Sequence, residues 1–238
     1  MTPRLLALDT STEALVVAVQ GPAGSALHEG EGGAAASAAL LPAVRAVMAQ
    51  AGLAFGDLDA IAFARGPGAF TGLRTACSVA QGLAFGVQRP VVPVDSLMLV
   101  AEDFRLARDD PKATLDVGVA MDARMGEAYA ARYRWDGRRW EASVAPLLCA
   151  PQDLLRRLGG LPPARAGTGW ALVGPEAGAG EVVQAEQGVT RHRAEALLSL
   201  AQSLWQAGAA VEAAQALPLY LRDKVALTTA ERAAAAAA

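Results

Sequence analysis

The sequence predicts an α/β protein made of two similar halves, residues 1–108 and 109–238. Three observations predict it. A meander of β-rich runs followed by alternating helical and strand-like segments occurs twice along the chain. The two passes are separated by a charged stretch, Arg105-Leu106-Ala107-Arg108-Asp109-Asp110-Pro111, of the kind that links domains. Hydrophobic residues make up 53% and charged residues 19%, enough for a core in each half and too apolar for disorder. With aromatics at 5% and 24 glycines, small aliphatic side chains must fill that core.

Taken in order, residues 4–8 form a β-rich run ending at Asp9-Thr10-Ser11-Thr12-Glu13, with further strands at 14–20 and 25–29. A strand, a polar turn opening on Asp and a second strand are the layout of a phosphate-gripping hairpin, and equally of an ordinary turn. Residues 30–36 are a small-residue linker. Leu40, Leu41, Val44, Val47 and Met48 then recur at the helical period within residues 37–51 and make one apolar stripe. Pro42 either sits in the first turn of a helix starting near Leu41 or kinks a longer one, and Gly52 is the stop.

The apolar run at 60–64 reads as a strand. Arg65-Gly66-Pro67-Gly68-Ala69-Phe70-Thr71-Gly72-Leu73-Arg74 follows as a glycine-rich turn that launches a helix through residue 85. Gly66 and Gly68 can take positive φ, and Pro67 stiffens the turn between them. Thr71 is the expected N-cap, leaving backbone N–H groups free at the helix start. Such a nest attracts anions, phosphate above all. Gly72, Ala76, Ala80 and Ala84 lie four residues apart, a row of small side chains flanked by Leu73, Val79 and Leu83 that lets another helix approach closely.

Residues 90–93 read as a strand, and Asp95-Ser96 caps a helix running to about residue 108. In the second half, strands are expected at 115–121, 127–135 and 140–148, the last two joined by a tight turn at Asp136-Gly137. A proline-initiated helix at 151–158, a Gly/Pro-rich loop at 159–169 and a strand at 170–173 come next. An amphipathic helix over 194–207 carries Leu197, Leu198, Ala201 and Leu204 on one side. Residues 211–217 are ambiguous and 218–222 read as extended, while the alanines 233–238 have nothing to pack against.

Net charge is −3 and the pI about 5.5, so the chain lacks the basic footprint of a protein that grips nucleic acid alone. Cys77 and Cys149 are far apart without metal-type spacing and read as buried small hydrophobes in a reducing compartment. The opening apolar run is broken by Asp9, too short for a signal h-region or a membrane span, and the expectation is a soluble cytoplasmic protein.

Five blocks carry a resemblance. They are Leu5-Leu6-Ala7-Leu8-Asp9-Thr10-Ser11-Thr12-Glu13; Gly66 to Arg74 with Gln81-Gly82-Leu83-Ala84; Met121-Asp122-Ala123-Arg124-Met125-Gly126-Glu127-Ala128-Tyr129; Gly167-Thr168-Gly169-Trp170; and Pro218-Leu219-Tyr220-Leu221-Arg222. On these the chain resembles the TsaB (formerly YeaZ) family, bacterial partners of the enzyme that makes threonylcarbamoyladenosine in tRNA. The resemblance implies an actin-like, Hsp70-like ATPase fold of two RNase H-like subdomains, degenerate relative to the catalytic partner TsaD. It implies pairing with TsaD through helices of the N-terminal half, joined by the ATPase TsaE. The complex transfers threonylcarbamoyl from its adenylate to N6 of the adenosine beside the anticodon, in tRNAs reading codons that start with A. On that reading Leu40, Leu41, Val44, Val47, Met48, Gly72, Leu73, Ala76 and Ala80 form the partner surface. Two copies would pair the same way in isolation as a homodimer, tRNA is met only through the complex, and no membrane is involved.

TsaD-type catalysts hold a metal with two histidines spaced four apart on the first helix. This sequence has only His28 and His192, and Ala36 stands where many TsaB relatives keep one histidine, so no metal site and no catalytic residue are expected. A zinc-protease His-Glu-x-x-His motif is absent from the sequence as well. Both histidines read as solvated surface. The resemblance aligns Asp9 with the acidic residue that actin-like ATPases place near magnesium, and Thr10 and Ser11 with the phosphate loop. With Gly66, Gly68 and Thr71 these are the candidates for a vestigial phosphate site. No cofactor is expected on the isolated chain, with ATP or ADP entering only in the assembled complex. Arg65 and Arg74 either touch a phosphate or carboxylate there or make local salt bridges. The alternative is an actin-like-fold ATPase or small-molecule kinase with Asp9, Gly66 and Gly68 at the phosphates and Asp122 as the candidate second carboxylate.

Overall fold

Two five-stranded sheets, each ordered in the same way, carry the chain. The structure, a computed structural model, describes residues 2–174, 182–183 and 192–222. The first sheet holds β1 (Leu5–Asp9), β2 (Ala14–Gly21), β3 (Gly24–Glu31), β4 (Ala60–Gly66) and β5 (Val91–Asp95), in the order β3-β2-β1-β4-β5. The second holds β6 (Leu115–Asp122), β7 (Ala128–Trp135), β8 (Trp140–Cys149), β9 (Ala164–Ala166) and β10 (Val182–Val183), in the order β10-β9-β6-β7-β8. In each, the first strand pairs antiparallel with the meander and parallel with the strand beyond it, as β1 does with β2 and β4, and β6 with β7 and β9. That is one RNase H-like layout used twice.

The helices are α1 (Ala36–Gln50), α2 (Phe70–Val87), α3 (Ser96–Leu106), α4 (Leu154–Arg157) and α5 (Arg193–Gln206). Helices α1 and α2 cover one face of the first sheet, where Leu6 and Leu8 join Leu40, Val44 and Ala76. The opposite face, with Leu5 and Ala7, packs on α5. Coverage on both sides is why β1 reads as an unbroken apolar run rather than an alternating one. Helix α3 lies between the lobes, giving Leu99 to the first core and Leu97, Val100, Ala101 and Phe104 to the second. Asp95 caps it as expected, accepting the N–H groups of Leu97 and Met98.

Four expectations change. Helix α1 begins at Ala36, so Pro42 sits well inside it rather than in its first turn. Both Pro42 and Ala38 are exposed, so the Ala38 carbonyl that loses its helical partner faces solvent. Residues 170–173 are not a strand. Strand β9 stops at Ala166, and Thr168–Leu172 wind into a 3-10 turn that sinks Trp170 into the second core with its indole N–H on the Gly118 carbonyl. Helix α5 returns to the first lobe, so the material after residue 109 does not all belong to the second half. Residues 211–222 return as well. Val211 makes an antiparallel bridge to Val91, Ala213–Gln215 form a 3-10 turn, and residues 216–222 have no regular secondary structure. The alanine run 233–238 lies outside the described residues. No helix among the described residues is long and apolar enough to cross a membrane. Cys77 and Cys149 are free and buried, and burial pushes both thiols up.

Candidate functional site

Strand β1 ends on Asp9, the candidate carboxylate of the phosphate site, and its side chain is already paired within the protein. One Asp9 carboxylate oxygen accepts the Ser11 N–H at 2.7 Å. The other takes the Nε–H of Arg193 at 2.7 Å, and Arg193 Nη2 reaches Ser11 Oγ at 3.3 Å. The Arg193 side chain is 3% exposed and that of Asp9 0%. Arg193 is the first residue of α5, where a cation faces the positive end of the helix dipole. Acceptors crowd around it. The Ala194 N–H donates to Glu29 Oε1 at 2.9 Å, and the His192 N–H to Asp103 Oδ1 at 3.1 Å. Burial pushes the Asp103 carboxyl up, against the pull of Arg193 and the His192 amide. Sequence reasoning missed Arg193. The signal was there: an arginine at a helix N-terminus is unfavourable unless an acid nearby neutralises it.

The glycine loop packs onto the same hairpin instead of standing open. The Ala69 N–H donates to the Ser11 carbonyl at 2.8 Å, the Thr10 hydroxyl to the Gly72 carbonyl at 2.7 Å, and the Gly66 N–H to Ser96 Oγ at 3.0 Å. Gly66 takes a positive φ of 116° as expected, but Gly68 does not. Gly68 is required for proximity, since a Cβ there would meet the Ser11 carbonyl oxygen at 2.5 Å. Gly72 is tighter still, its missing Cβ overlapping the Thr10 carbonyl. Thr71 is not the N-cap. Ala69 holds that position and Thr71 points outward in the first turn. The candidates Asp9, Thr10, Ser11 and Gly68 are therefore brought together, Gly66 is tied instead to Ser96 of α3, and two of the loop's N–H donors are spent on the protein itself.

The candidate partner residues separate into two sets. Leu40, Val44, Val47, Met48, Ala76 and Ala80 are buried in the first core, Leu73 is buried beside Gly66, and Gly72 is buried against Thr10. All are turned into their own lobe, so as a partner surface these positions are corrected. Helical periodicity marks the face that is buried, and here the protein's own strands bury it. Leu41 alone of the set is outside, 46% exposed. The outward face consists of Leu41, Arg45 and Ala49 on α1 with Ser78, Gly82, Phe85 and Gly86 on α2. Phe85 is 60% exposed, and a Cβ added at Gly82 or Gly86 would meet nothing.

Arg74 stacks its guanidinium 3.9 Å from the Phe70 ring centroid and donates Nε–H to the Tyr220 hydroxyl at 3.1 Å. Burial pushes the Asp95 carboxyl up, against the Tyr133 hydroxyl that donates to it across the lobes at 2.9 Å and against the charge of Arg65. Asp122 accepts the Arg124 N–H at 2.7 Å, shaping a turn. His28 is exposed and His192 half-buried. Among the described residues no group of three or more His, Cys, Asp and Glu is placed to hold a metal. The cavity beside the loop, lined by Gly68, Phe70, Tyr129 and Tyr220 among others, is about 40 Å³, far below the several hundred Å³ of a small-molecule site.

A family model described as "TsaD: tRNA N6-adenosine threonylcarbamoyltransferase" matches residues 27–230. The chain is 33% identical to the tRNA threonylcarbamoyladenosine biosynthesis protein TsaB of Haemophilus influenzae, over 93% of this chain and 94% of that one. It is 34% identical to the TsaB protein of Escherichia coli, over 94% of this chain and 96% of that one. The chain belongs to the TsaB family. A solved structure from Pseudomonas aeruginosa, described as an uncharacterized protein with similarity to peptidase YEAZ, superposes with a TM-score of 0.80 at 39% identity, covering 92% of this chain and all of that one. The fold is accordingly the actin-like pair of RNase H-like lobes. In this TsaB-family chain a buried ion pair joins the hairpin to α5, and hydrogen bonds join the hairpin to the glycine loop.

Proposed function

We propose that this chain is a non-catalytic subunit of a tRNA-modifying assembly, activating TsaD in the formation of N6-threonylcarbamoyladenosine in tRNAs that read codons starting with A. The observation that carries the reading is the Asp9–Arg193 pair: the carboxylate that would meet magnesium is fully buried and held by the protein's own guanidinium. The same pair weighs against the ATPase or kinase alternative, which needs Asp9 available. The names of the relatives support the pathway, since two TsaB proteins match along nearly the whole chain.

The surface that pairs with TsaD is then the outward face of α1 and α2, with Leu41 and Phe85 as its apolar anchors. Gly82 and Gly86 leave a shallow track in which a partner helix can lie close. A second copy of this chain would use that face in the absence of TsaD, giving a homodimer. TsaE, tRNA and ATP or ADP enter through the cytoplasmic assembly rather than through this chain alone.

The test is a reconstituted modification reaction with purified TsaD and TsaE. Leu41→Glu with Phe85→Glu, and separately Gly82→Arg, should abolish co-purification with TsaD and threonylcarbamoyladenosine formation while the circular dichroism spectrum and Tm hold. Retained pairing in both variants sinks this surface. Unchanged activity when the chain is omitted altogether sinks the scaffold reading. Charges at Val44 or Ala80 would not serve, because both side chains are fully buried and the lobe itself would fail.

A further inference from the structure

Three of the blocks singled out in the sequence meet at one place that the proposed function does not use. The segment 211–222 leaves the edge of the first sheet and crosses α2, where Gln81 Nε2 donates to the Ala213 and Ala216 carbonyls and the Cys77 thiol to Ala216. It then crosses the glycine loop, the Leu219 N–H donating to the Arg65 carbonyl at 2.7 Å. Tyr220 joins the stack of Phe70 and Arg74, its ring centroid 5.2 Å from that of Phe70. The next-but-one residue, Arg222, reaches the second lobe. Its guanidinium pairs with Glu127 Oε2 at 2.7 Å, donates to the carbonyls of Ala123 and Arg124 at 3.1 and 3.3 Å, and touches the Met125 sulfur.

The turn that Arg222 grips is unusual. Arg124, Met125 and Gly126 have φ of 64°, 57° and 73°, so two side-chain-bearing residues lie consecutively in the left-handed region. Such a conformation opposes the intrinsic preference of L-residues and persists only where the surroundings hold it. Met125 is 68% exposed, so burial of its own side chain is not what holds it. The carbonyls of Ala123 and Arg124 converge on a single nitrogen, Arg222 Nη2, and closure of the turn by the Ala123 N–H on the Glu127 carbonyl sets Glu127 beside it.

We propose that Arg222 is a latch: carried on a strap from the first lobe, it holds the 122–127 turn of the second lobe in its left-handed form, so the seating of the strap on α2 and the shape of that turn are one coupled equilibrium. The coupling runs from the turn through Arg222 and Tyr220 to Arg74 and Gln81 on α2. It stands whether or not α2 also pairs with TsaD.

Amide hydrogen exchange on the full chain tests it, read at the Leu219 amide, whose acceptor is the Arg65 carbonyl. Gly126→Ala is sterically clean, because the added Cβ meets nothing, and it penalises only the positive φ. The latch predicts that this substitution speeds exchange at Leu219, 93 residues away in sequence, by about tenfold. Arg222→Ala should do the same to Leu219 and to the Ala123 and Glu127 amides, and Arg124→Gly, which removes the penalty, should slow Leu219. In all three the amides of β1 and β4 keep wild-type rates. An unchanged Leu219 rate in Gly126→Ala overturns the proposal, as does acceleration there that the β1 and β4 amides share. Should Arg222→Ala fail to fold, the Gly126→Ala and Arg124→Gly pair decides it alone.

Discussion

Replacing Arg193 by methionine leaves the Asp9 carboxylate buried with only the Ser11 N–H to satisfy it, and that defect is large enough to measure. The pair is 2.7 Å apart with both side chains almost wholly shielded. Breaking one partner of such a buried pair costs about 3–5 kcal/mol, because the stranded charge loses water without gaining a partner. In a chain of this size each kcal/mol lowers Tm by about 2–4 °C, so Arg193→Met should fall by roughly 6–20 °C. Asp9→Leu should lose a similar amount, since it strands the guanidinium. The double variant Asp9→Leu, Arg193→Met should recover to within about 2 kcal/mol of wild type, because an apolar pair of similar volume asks for no desolvation of charge. Urea denaturation followed by far-ultraviolet circular dichroism measures each loss. Additive losses in the double variant, or single losses below about 1 kcal/mol, would refute the account of Asp9 as a carboxylate neutralised from within.

The glycines of the loop and helix should divide by environment. Gly72→Ala should cost more than about 3 kcal/mol or prevent folding, because the new methyl overlaps the Thr10 carbonyl, a backbone atom. Gly82→Ala and Gly86→Ala meet open space on a helix and should each stabilise the isolated chain by up to about 1 kcal/mol, checked by thermal melts. Two carboxylates should give opposite pH signatures. Burial pushes the Glu102 carboxyl up, but Arg105, Ser199 and Trp140 outweigh it and hold it below the ordinary range. Its contribution is present above the unfolded carboxylate pKa of about 4.3 and lost as pH falls through the folded value, so Glu102→Gln should flatten the acid limb of the stability curve. Asp95 is raised by burial despite Tyr133, the Leu97 and Met98 amides and Arg65. Its favourable contribution is present below the unfolded pKa of about 3.9 and lost as pH rises through the folded value, so Asp95→Asn should flatten the curve just above that point.

Most of the architecture was legible because each lobe is built from local signals. The apolar runs at β1 and β4, the Asp95 cap and the Gly52 stop are short-range chemistry, and the structure places them within a few residues of expectation. What was illegible depends on long-range packing. Nothing in residues 194–207 says which sheet their apolar side will cover, and α5 returns to the first. The stripe at Leu40, Val44 and Val47 marks a buried face without naming what buries it, and the answer is β2 and β3 rather than a partner. Trp170 shows the same limit: an apolar run before a glycine reads as a strand, yet the indole needs depth that only a tight turn gives it.

The glycine motif carries two meanings that the sequence cannot separate, and the distances do. A loop built for an anion keeps its N–H groups converging on empty space, whereas here the Ala69 N–H is committed to the Ser11 carbonyl and the Gly66 N–H to Ser96. Gly68 and Gly72 are glycines for the opposite reason, to let backbone touch backbone at Ser11 and Thr10. The hairpin so trapped is the one that holds Asp9 against Arg193. Loop, hairpin and α5 therefore form one closed unit around the candidate phosphate residues. Loosening it should cost stability before it restores any affinity for a nucleotide. An Arg193→Met chain that lost stability and still failed to bind ATP with magnesium in calorimetry would bear this out. Tight binding in that variant would instead show that the arginine alone had kept a working site shut.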